Sequence, residues 1–72
     1  METIIVEWGI VQNEAHVGGW LPVYYINGKR YGNTYSGHAY DKDVAMSVAR
    51  GMACEEADKY VGDWNVRVSE RK

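Results

Sequence analysis

Apolar side chains recur at every second position along the first and last of four predicted strands, which is the pattern of β-strands, whereas both faces of the two middle strands are apolar. The predicted strands cover Thr3–Asn13, Trp20–Ile26, Lys29–Tyr35 and Trp64–Ser69. Pro22 lacks a backbone N–H, so it favours an edge strand or the end of a strand. The last three residues, 70–72, are expected to fray.

The second and third strands are separated by Asn27-Gly28 alone, the strongest short hairpin signal, because a type I′ turn needs positive φ at both central residues. This turn places Tyr24 opposite Tyr31. Alternation then gives the ribbon two faces. One face carries Trp20, Pro22, Tyr24, Ile26, Lys29, Tyr31, Asn33 and Tyr35; the other carries Leu21, Val23, Tyr25, Arg30, Gly32 and Thr34.

Between Asp41 and Gly62 the apolar residues recur at the spacing of an amphipathic helix. Asp41 is the predicted N-cap, and Gly62 predicts an end near Tyr60 or Val61. The apolar stripe comprises Val44, Ala45, Val48, Ala49, Met52, Ala53, Ala57 and Tyr60, with Cys54 beside it as a small hydrophobic residue. The order predicts a single domain over residues 1–72 of the α+β class: a two-layer, antiparallel β-β-β-α-β sheet with one helix packed on one face.

The side of the hairpin that the helix covers decides where a partner would bind. We expect the helix over the face of Leu21, Val23, Tyr25 and Gly32, because these residues give an apolar surface with room for the helix backbone. The aromatic residues on the other face would then form an exposed interaction surface beside Lys29. The opposite assignment stays open, since a one-residue slip, or a bulge near Pro22 or Gly32, exchanges the faces.

Composition limits the classes of function. The 72 residues include six Tyr, three Trp, no Phe and one Cys, with a net charge of −2. No disulfide within the chain, no zinc-ligand spacing and no membrane-span-length apolar run is present, and the N-terminus lacks a basic signal-peptide region, so we expect a cytoplasmic protein without cofactor or metal. The two histidines, His16 and His38, have no organised catalytic partners, so we expect no enzymatic activity.

Charged residues give two further candidates. Lys29 and Arg30 form a basic tip on the hairpin, and acidic residues gather near the C-terminal end of the helix, where the helix dipole disfavours them. Such unfavourable charges are candidates for a partner contact. The predicted partner-binding residues are Trp20, Tyr24, Lys29, Arg30, Tyr31, Tyr35, Glu55, Glu56 and Asp58.

Residues 23–68 contain the hairpin, the segment from Tyr40 to Ala49 (YDKDVAMSVA) and the segment from Trp64 to Val68 (WNVRV). This order of elements resembles that of small phage-encoded inhibitors, such as inhibitors of host RNA polymerase and anti-CRISPR proteins. It is also similar to the order in AP2-type DNA-binding domains. The first resemblance implies a protein-binding inhibitor, the second a DNA-binding sheet. The acidic net charge departs from the second pattern, because only Lys29, Arg30 and Arg67 could meet phosphates.

Three hypotheses follow. The preferred one is a non-enzymatic protein-binding module, encoded by a phage or mobile element, that inhibits a host enzyme or defence complex. The alternative is a small nucleic-acid-binding domain that uses its aromatic sheet face, which the net charge disfavours. A homodimer that completes a small core is compatible with either.

Overall fold

The structure is a computed structural model and describes residues 1–13, 18–32 and 40–72. Within these residues one helix packs on a four-stranded sheet of order β3-β2-β1-β4. The elements are β1 (Thr3–Gln12), β2 (Trp20–Ile26), β3 (Lys29–Tyr31), α1 (Lys42–Asp58) and β4 (Asn65–Glu70). The predicted α+β class with one helix on one face of a sheet is confirmed.

The sheet is mixed, whereas the sequence predicted an antiparallel one. β1 runs antiparallel to β2, and β2 antiparallel to β3, but β4 lies parallel to β1, with Val68 beside Val6. A hairpin always reverses the chain, whereas a connection that contains a helix can return it to the end of the sheet from which it started. The helix before β4 therefore permits the parallel pairing that strand order alone did not indicate.

The hairpin has the predicted register. Tyr24 pairs with Tyr31, and both turn residues have positive φ, 49° at Asn27 and 86° at Gly28. Asn27 also fastens the turn to β1: its N–H donates to the carbonyl of Ile5 at 2.8 Å, and its Oδ1 accepts from the N–H of Ile5 at 3.0 Å. The relative positions of β1, β2 and β3 are therefore fixed at this end of the sheet.

The described part of β3 is shorter than predicted. It ends at Tyr31, and Gly32 has a φ of 126°. Residues 33–35 of the predicted strand, including Tyr35, lie outside the described residues. β2 is an inner strand, but Pro22 lies beyond the last residue of β3 and pairs with Ile10 of β1 on its other side.

Helix α1 begins as predicted and ends earlier. Asp41 is the N-cap, and its Oδ1 accepts from the N–H of Val44 at 2.8 Å. The helix ends at Asp58 with Lys59 as C-cap, and Gly62, with a φ of 103°, lies in the turns that follow. The buried residues of α1 are spaced four apart: Ala45, Ala49, Ala53 and Ala57.

The helix covers the face that the sequence analysis expected to be open. Ala53 and Ala57 pack with Val6, and Trp8, Tyr24 and Val66 pack around them. The expectation that Trp20, Tyr24 and Tyr31 share the uncovered face is therefore wrong. The physical reason is complementarity of size: large rings on the sheet fill the space beside a helix whose inner surface is alanine.

Two predictions about the helix surface are corrected by this alanine row. Val44 and Val48, placed in the buried stripe, are 46% and 37% exposed. Cys54, placed beside the core as a small hydrophobic residue, is exposed. The row of alanines is narrower than the predicted stripe, so neighbouring helix positions reach solvent.

Candidate binding surfaces

Two stacked tyrosines lie where the hairpin meets the C-terminal half of the helix. Tyr24 on β2 and Tyr31 on β3 are cross-strand partners, and their ring centroids are 5.7 Å apart with an interplanar angle of 14°. The ammonium group of Lys29 lies 5.5 Å from the centroid of the Tyr31 ring. Tyr31 is 39% exposed and Tyr24 is half-buried, so the pair reaches from the core to the surface.

The end of α1 adds a charged pair to these rings. Lys59 Nζ donates to Glu56 Oε2 at 3.0 Å, and this bond raises the pKa of Lys59. Burial raises the pKa of the Tyr24 hydroxyl, and the nearby Glu56 carboxylate raises it further. Tyr60 lies close enough to act on the pKa of Tyr24 as well. We call this group the tyrosine cluster; its members are Tyr24, Lys29, Tyr31, Glu56, Lys59 and Tyr60.

Of the eight predicted partner-binding residues that the structure describes, four come together and four do not; Tyr35 lies outside the described residues. Those in the tyrosine cluster are Tyr24, Lys29, Tyr31 and Glu56. Trp20 lies at the far end of β2, where the ammonium group of Lys42 is 5.5 Å from its ring centroid. Glu55 and Asp58 are exposed on α1 outside the cluster, and Arg30 belongs to the opposite face of the sheet. Lys59 and Tyr60 were not predicted to bind a partner. They lie three and four residues after Glu56, and this helical spacing is the signal that would have placed them beside it.

The opposite face of the sheet carries a second group of residues. The cross-strand register aligns Arg30, Tyr25 and Glu7 in one row on β3, β2 and β1. The guanidinium carbon of Arg71 lies 4.2 Å from the Tyr25 ring centroid, and Arg71 Nη1 donates to Glu7 Oε1 at 3.1 Å. Gly9 on β1 lies beside this stack, and a Cβ there would be 3.4 Å from Tyr25 Cε1.

Arg71 extends the pairing of β4 instead of fraying. Its N–H donates to the carbonyl of Trp8 at 2.9 Å, so Arg71 follows Arg67 and Ser69 on the same face of the strand. Arg67 lies beside Ile5, which is 42% exposed. We call this surface the arginine face; its members are Ile5, Tyr25, Arg30, Arg67 and Arg71. Sequence reasoning missed Arg71, although the period of two in β4 continues to it.

The arginine face is exposed at the end of the sheet that carries the Asn27-Gly28 turn. Leu21 and Val23 point to the same side of β2 at its other end, and both are buried. Arg30 and Arg67, by contrast, are exposed.

Residues that could hold a metal ion do not cluster in the described ranges: no group of three or more His, Cys, Asp or Glu residues comes together there. His16 and His38, the two histidines of the chain, lie outside those ranges. No helix in the described part of the chain has the length and apolarity needed to cross a membrane.

Comparison with known proteins gives no similarity to report: no family model, no curated protein and no solved structure matches this chain.

Proposed function

We propose that this chain is a non-enzymatic protein-binding module and that its contact surface is the tyrosine cluster. The observation that carries the proposal is the stacked pair of Tyr24 and Tyr31 beside the helix, in which Tyr24 is half-buried and Tyr31 is exposed. Tyrosine contributes a large rigid apolar surface with one polar end, which is why it is enriched among the residues that dominate protein interfaces.

The charged groups around the rings already have neighbours within the chain. Glu56 is paired with Lys59, and Lys29 lies over the Tyr31 ring. A partner that covers the Glu56–Lys59 pair therefore does not leave either group as an isolated buried charge, which would be costly. The surface thus combines apolar area with one charge pair that stays matched when it is covered.

An apolar strip continues from the cluster along the helix. Positions 44, 48, 52 and 56 follow one another at intervals of four, so they lie on one side of α1. Met52 marks the direction of that side, because its Cε lies 3.5 Å from where a Cβ on Gly32, just after β3, would be. Val44 and Val48, both exposed, extend this side away from Glu56. A partner that contacts Tyr31 would meet these valines next.

The biological role that we propose is inhibition of a host enzyme or defence complex by a protein of phage or mobile-element origin, acting in the cytoplasm. The order of elements that the chain shares with small phage-encoded inhibitors supports the role, and its single cysteine supports the compartment. If the partner is a second copy of this chain, the tyrosine cluster is the interface of a homodimer.

The test uses two neighbouring residues of β3 that point to opposite faces. Tyr31→Ala removes half of the stacked pair, whereas Arg30→Ala alters the arginine face and serves as the matched control. Each tagged variant is incubated with lysate of candidate host cells, and captured proteins are quantified. We expect stoichiometric capture of one protein by the wild type, at least tenfold loss with Tyr31→Ala, and retention with Arg30→Ala.

Capture that both variants lose equally, or that neither loses, would contradict the assignment to the tyrosine cluster. Light scattering over a concentration series covers the homodimer form. A dimer that dissociates in Tyr31→Ala but not in Arg30→Ala identifies the partner as a second copy of the chain.

A further inference from the structure

The two faces of the sheet differ in charge. Among the described strand residues, Glu7 is the only carboxylate that the register places on the arginine face, and it is bound by Arg71. The carboxylates of α1 lie on the other side of the sheet, since that helix covers the face of Val6 and Tyr24. The net charge of −2 thus conceals a locally positive surface.

The cations of the helix side are engaged with rings or carboxylates. Each of four has such a neighbour on its own side of the sheet: Lys29 with Tyr31, Lys42 with Trp20, Arg50 with Trp8 and Lys59 with Glu56. Arg30 and Arg67 form no ion pair and no ring contact with the described part of the chain. Both are exposed on the arginine face.

The spacing of these arginines suits an extended ligand. Arg30 is on β3 and Arg67 is on β4, the two outer strands, so three strand intervals separate them, about 14 Å across the sheet. Between them lie the Arg71–Tyr25 stack and the exposed side chain of Ile5. The surface therefore has cations at both margins and planar or apolar groups in the middle.

We propose that the arginine face binds single-stranded nucleic acid. Arg30 and Arg67 hold phosphates of the backbone, and the outer side of the Arg71 guanidinium, whose inner side rests on Tyr25, stacks on an unpaired base. A duplex hides the faces of its bases, so only its phosphates could use this surface. This activity goes beyond the proposed protein contact and uses the opposite face of the sheet.

The acidic balance of the chain does not oppose contact at this distance. Salt screens charges beyond about 8 Å at physiological ionic strength, so the arginines that touch the ligand act more strongly than the carboxylates beyond the sheet. Neutralising two or three phosphates of a single strand gives a slope of log affinity against log salt of about −1.4 to −2.1. Raising salt from about 50 to 200 mM should therefore weaken binding about 7- to 20-fold.

The experiment compares two double variants with the same net charge. Arg30→Gln with Arg67→Gln removes the two arginines at the margins of the arginine face, and Lys29→Gln with Lys42→Gln removes two lysines of the helix side. Each starts from a net charge of −2 and loses two positive charges, which gives −4. Binding of labelled oligothymidylate and oligouridylate is followed by fluorescence anisotropy at both salt concentrations, and circular dichroism confirms that each variant is folded.

We expect the arginine variant to bind at least tenfold more weakly and with a slope reduced by about 1.4, while the lysine variant stays within about threefold of wild type. Arg30→Lys with Arg67→Lys keeps the charges and should retain most of the salt-dependent affinity, even if the glutamine variant folds poorly. Absence of oligonucleotide binding at 50 mM salt, or equal loss in the two glutamine variants, overturns the proposal.

Two competitors separate the ligand classes. Tighter binding of a duplex of the same length overturns the preference for single strands. If polyglutamate binds as tightly as the oligonucleotide and depends equally on Arg30 and Arg67, the proposal is overturned and the ligand of this face is an acidic protein surface. Neither result bears on the tyrosine cluster, which Tyr31→Ala tests separately.

Discussion

Replacing Val6 with alanine tests which face of the sheet the helix covers. Val6 has no exposed surface and packs against Ala53 and Ala57. The change removes two buried carbon groups, a transfer cost of about 1.6 kcal/mol, and the cavity adds about 1 kcal/mol because helix and sheet close over it only partly. We expect a loss of about 2–3 kcal/mol. A chain of 72 residues has a free energy of unfolding of about 4–11 kcal/mol, so the loss is large.

Val68→Ala is the matched control, because Val68 lies beside Val6 on β4, on the same face, and is 38% exposed. The same deletion should cost only about 1 kcal/mol there, since about 60% of the transfer term applies and no closed cavity forms. Urea unfolding followed by tryptophan fluorescence and by circular dichroism gives both values. A loss below about 1 kcal/mol for Val6→Ala, or equal losses for the two variants, would refute a helix packed over Val6.

Three further outcomes can be measured with the same unfolding assay. Asn27→Ala should cost about 1–2 kcal/mol, because it removes the acceptor of the Ile5 amide in β1 and leaves alanine at positive φ. Asn27→Asp keeps a side-chain oxygen and should stay near wild type. Equal losses in the two variants would contradict the role of that oxygen. Asp41→Ala should cost about 1 kcal/mol through the lost N-cap bond, and Asp41→Ser should restore most of it. The raised pKa of Tyr24 means that the folded state holds the hydroxyl proton more tightly than the unfolded state does. The protonated hydroxyl therefore contributes to the free energy of unfolding below pH about 10, and this contribution is lost as pH rises through the folded-state pKa. Tyr24→Phe should therefore lose less stability than wild type as pH rises above about 10, and an unchanged profile would count against this coupling.

The sequence predicted those features that short-range chemistry determines. The bounds of β2, the Asn27-Gly28 register and the Asp41 cap are confirmed, because each depends on residues within a few positions of one another. The parallel pairing of β4 was not predictable from strand order, since it depends on where the helix returns the chain.

The covered face was the main error, and its cause is specific. Both faces of the hairpin are apolar, so hydrophobic pattern alone could not select one. The prediction assumed that the sheet must leave room for the helix backbone. The buried residues of the helix are all alanine, so the helix already leaves that room. Four alanines at intervals of four leave the space to the sheet, and Trp8 and Tyr24 fill it. A better rule for such a helix is to pair its smallest side chains with the largest ones on the sheet.

The hairpin register also separates two functions that the predicted partner-binding residues had combined. Arg30 and Tyr31 are adjacent in β3, and alternation places them on opposite sides of the sheet. The predicted partner-binding residues combined the aromatic residues with both hairpin cations, although alternation had already placed Arg30 on the opposite face from Tyr31. The stacked tyrosines lie beside the Glu56–Lys59 pair, whereas Arg30 and Arg67, which form no ion pair with the described residues, lie on the face of the Arg71–Tyr25 stack. A ligand that depends on Arg30 but not on Tyr31 must therefore use the arginine face, and a ligand with the reverse dependence must use the tyrosine cluster.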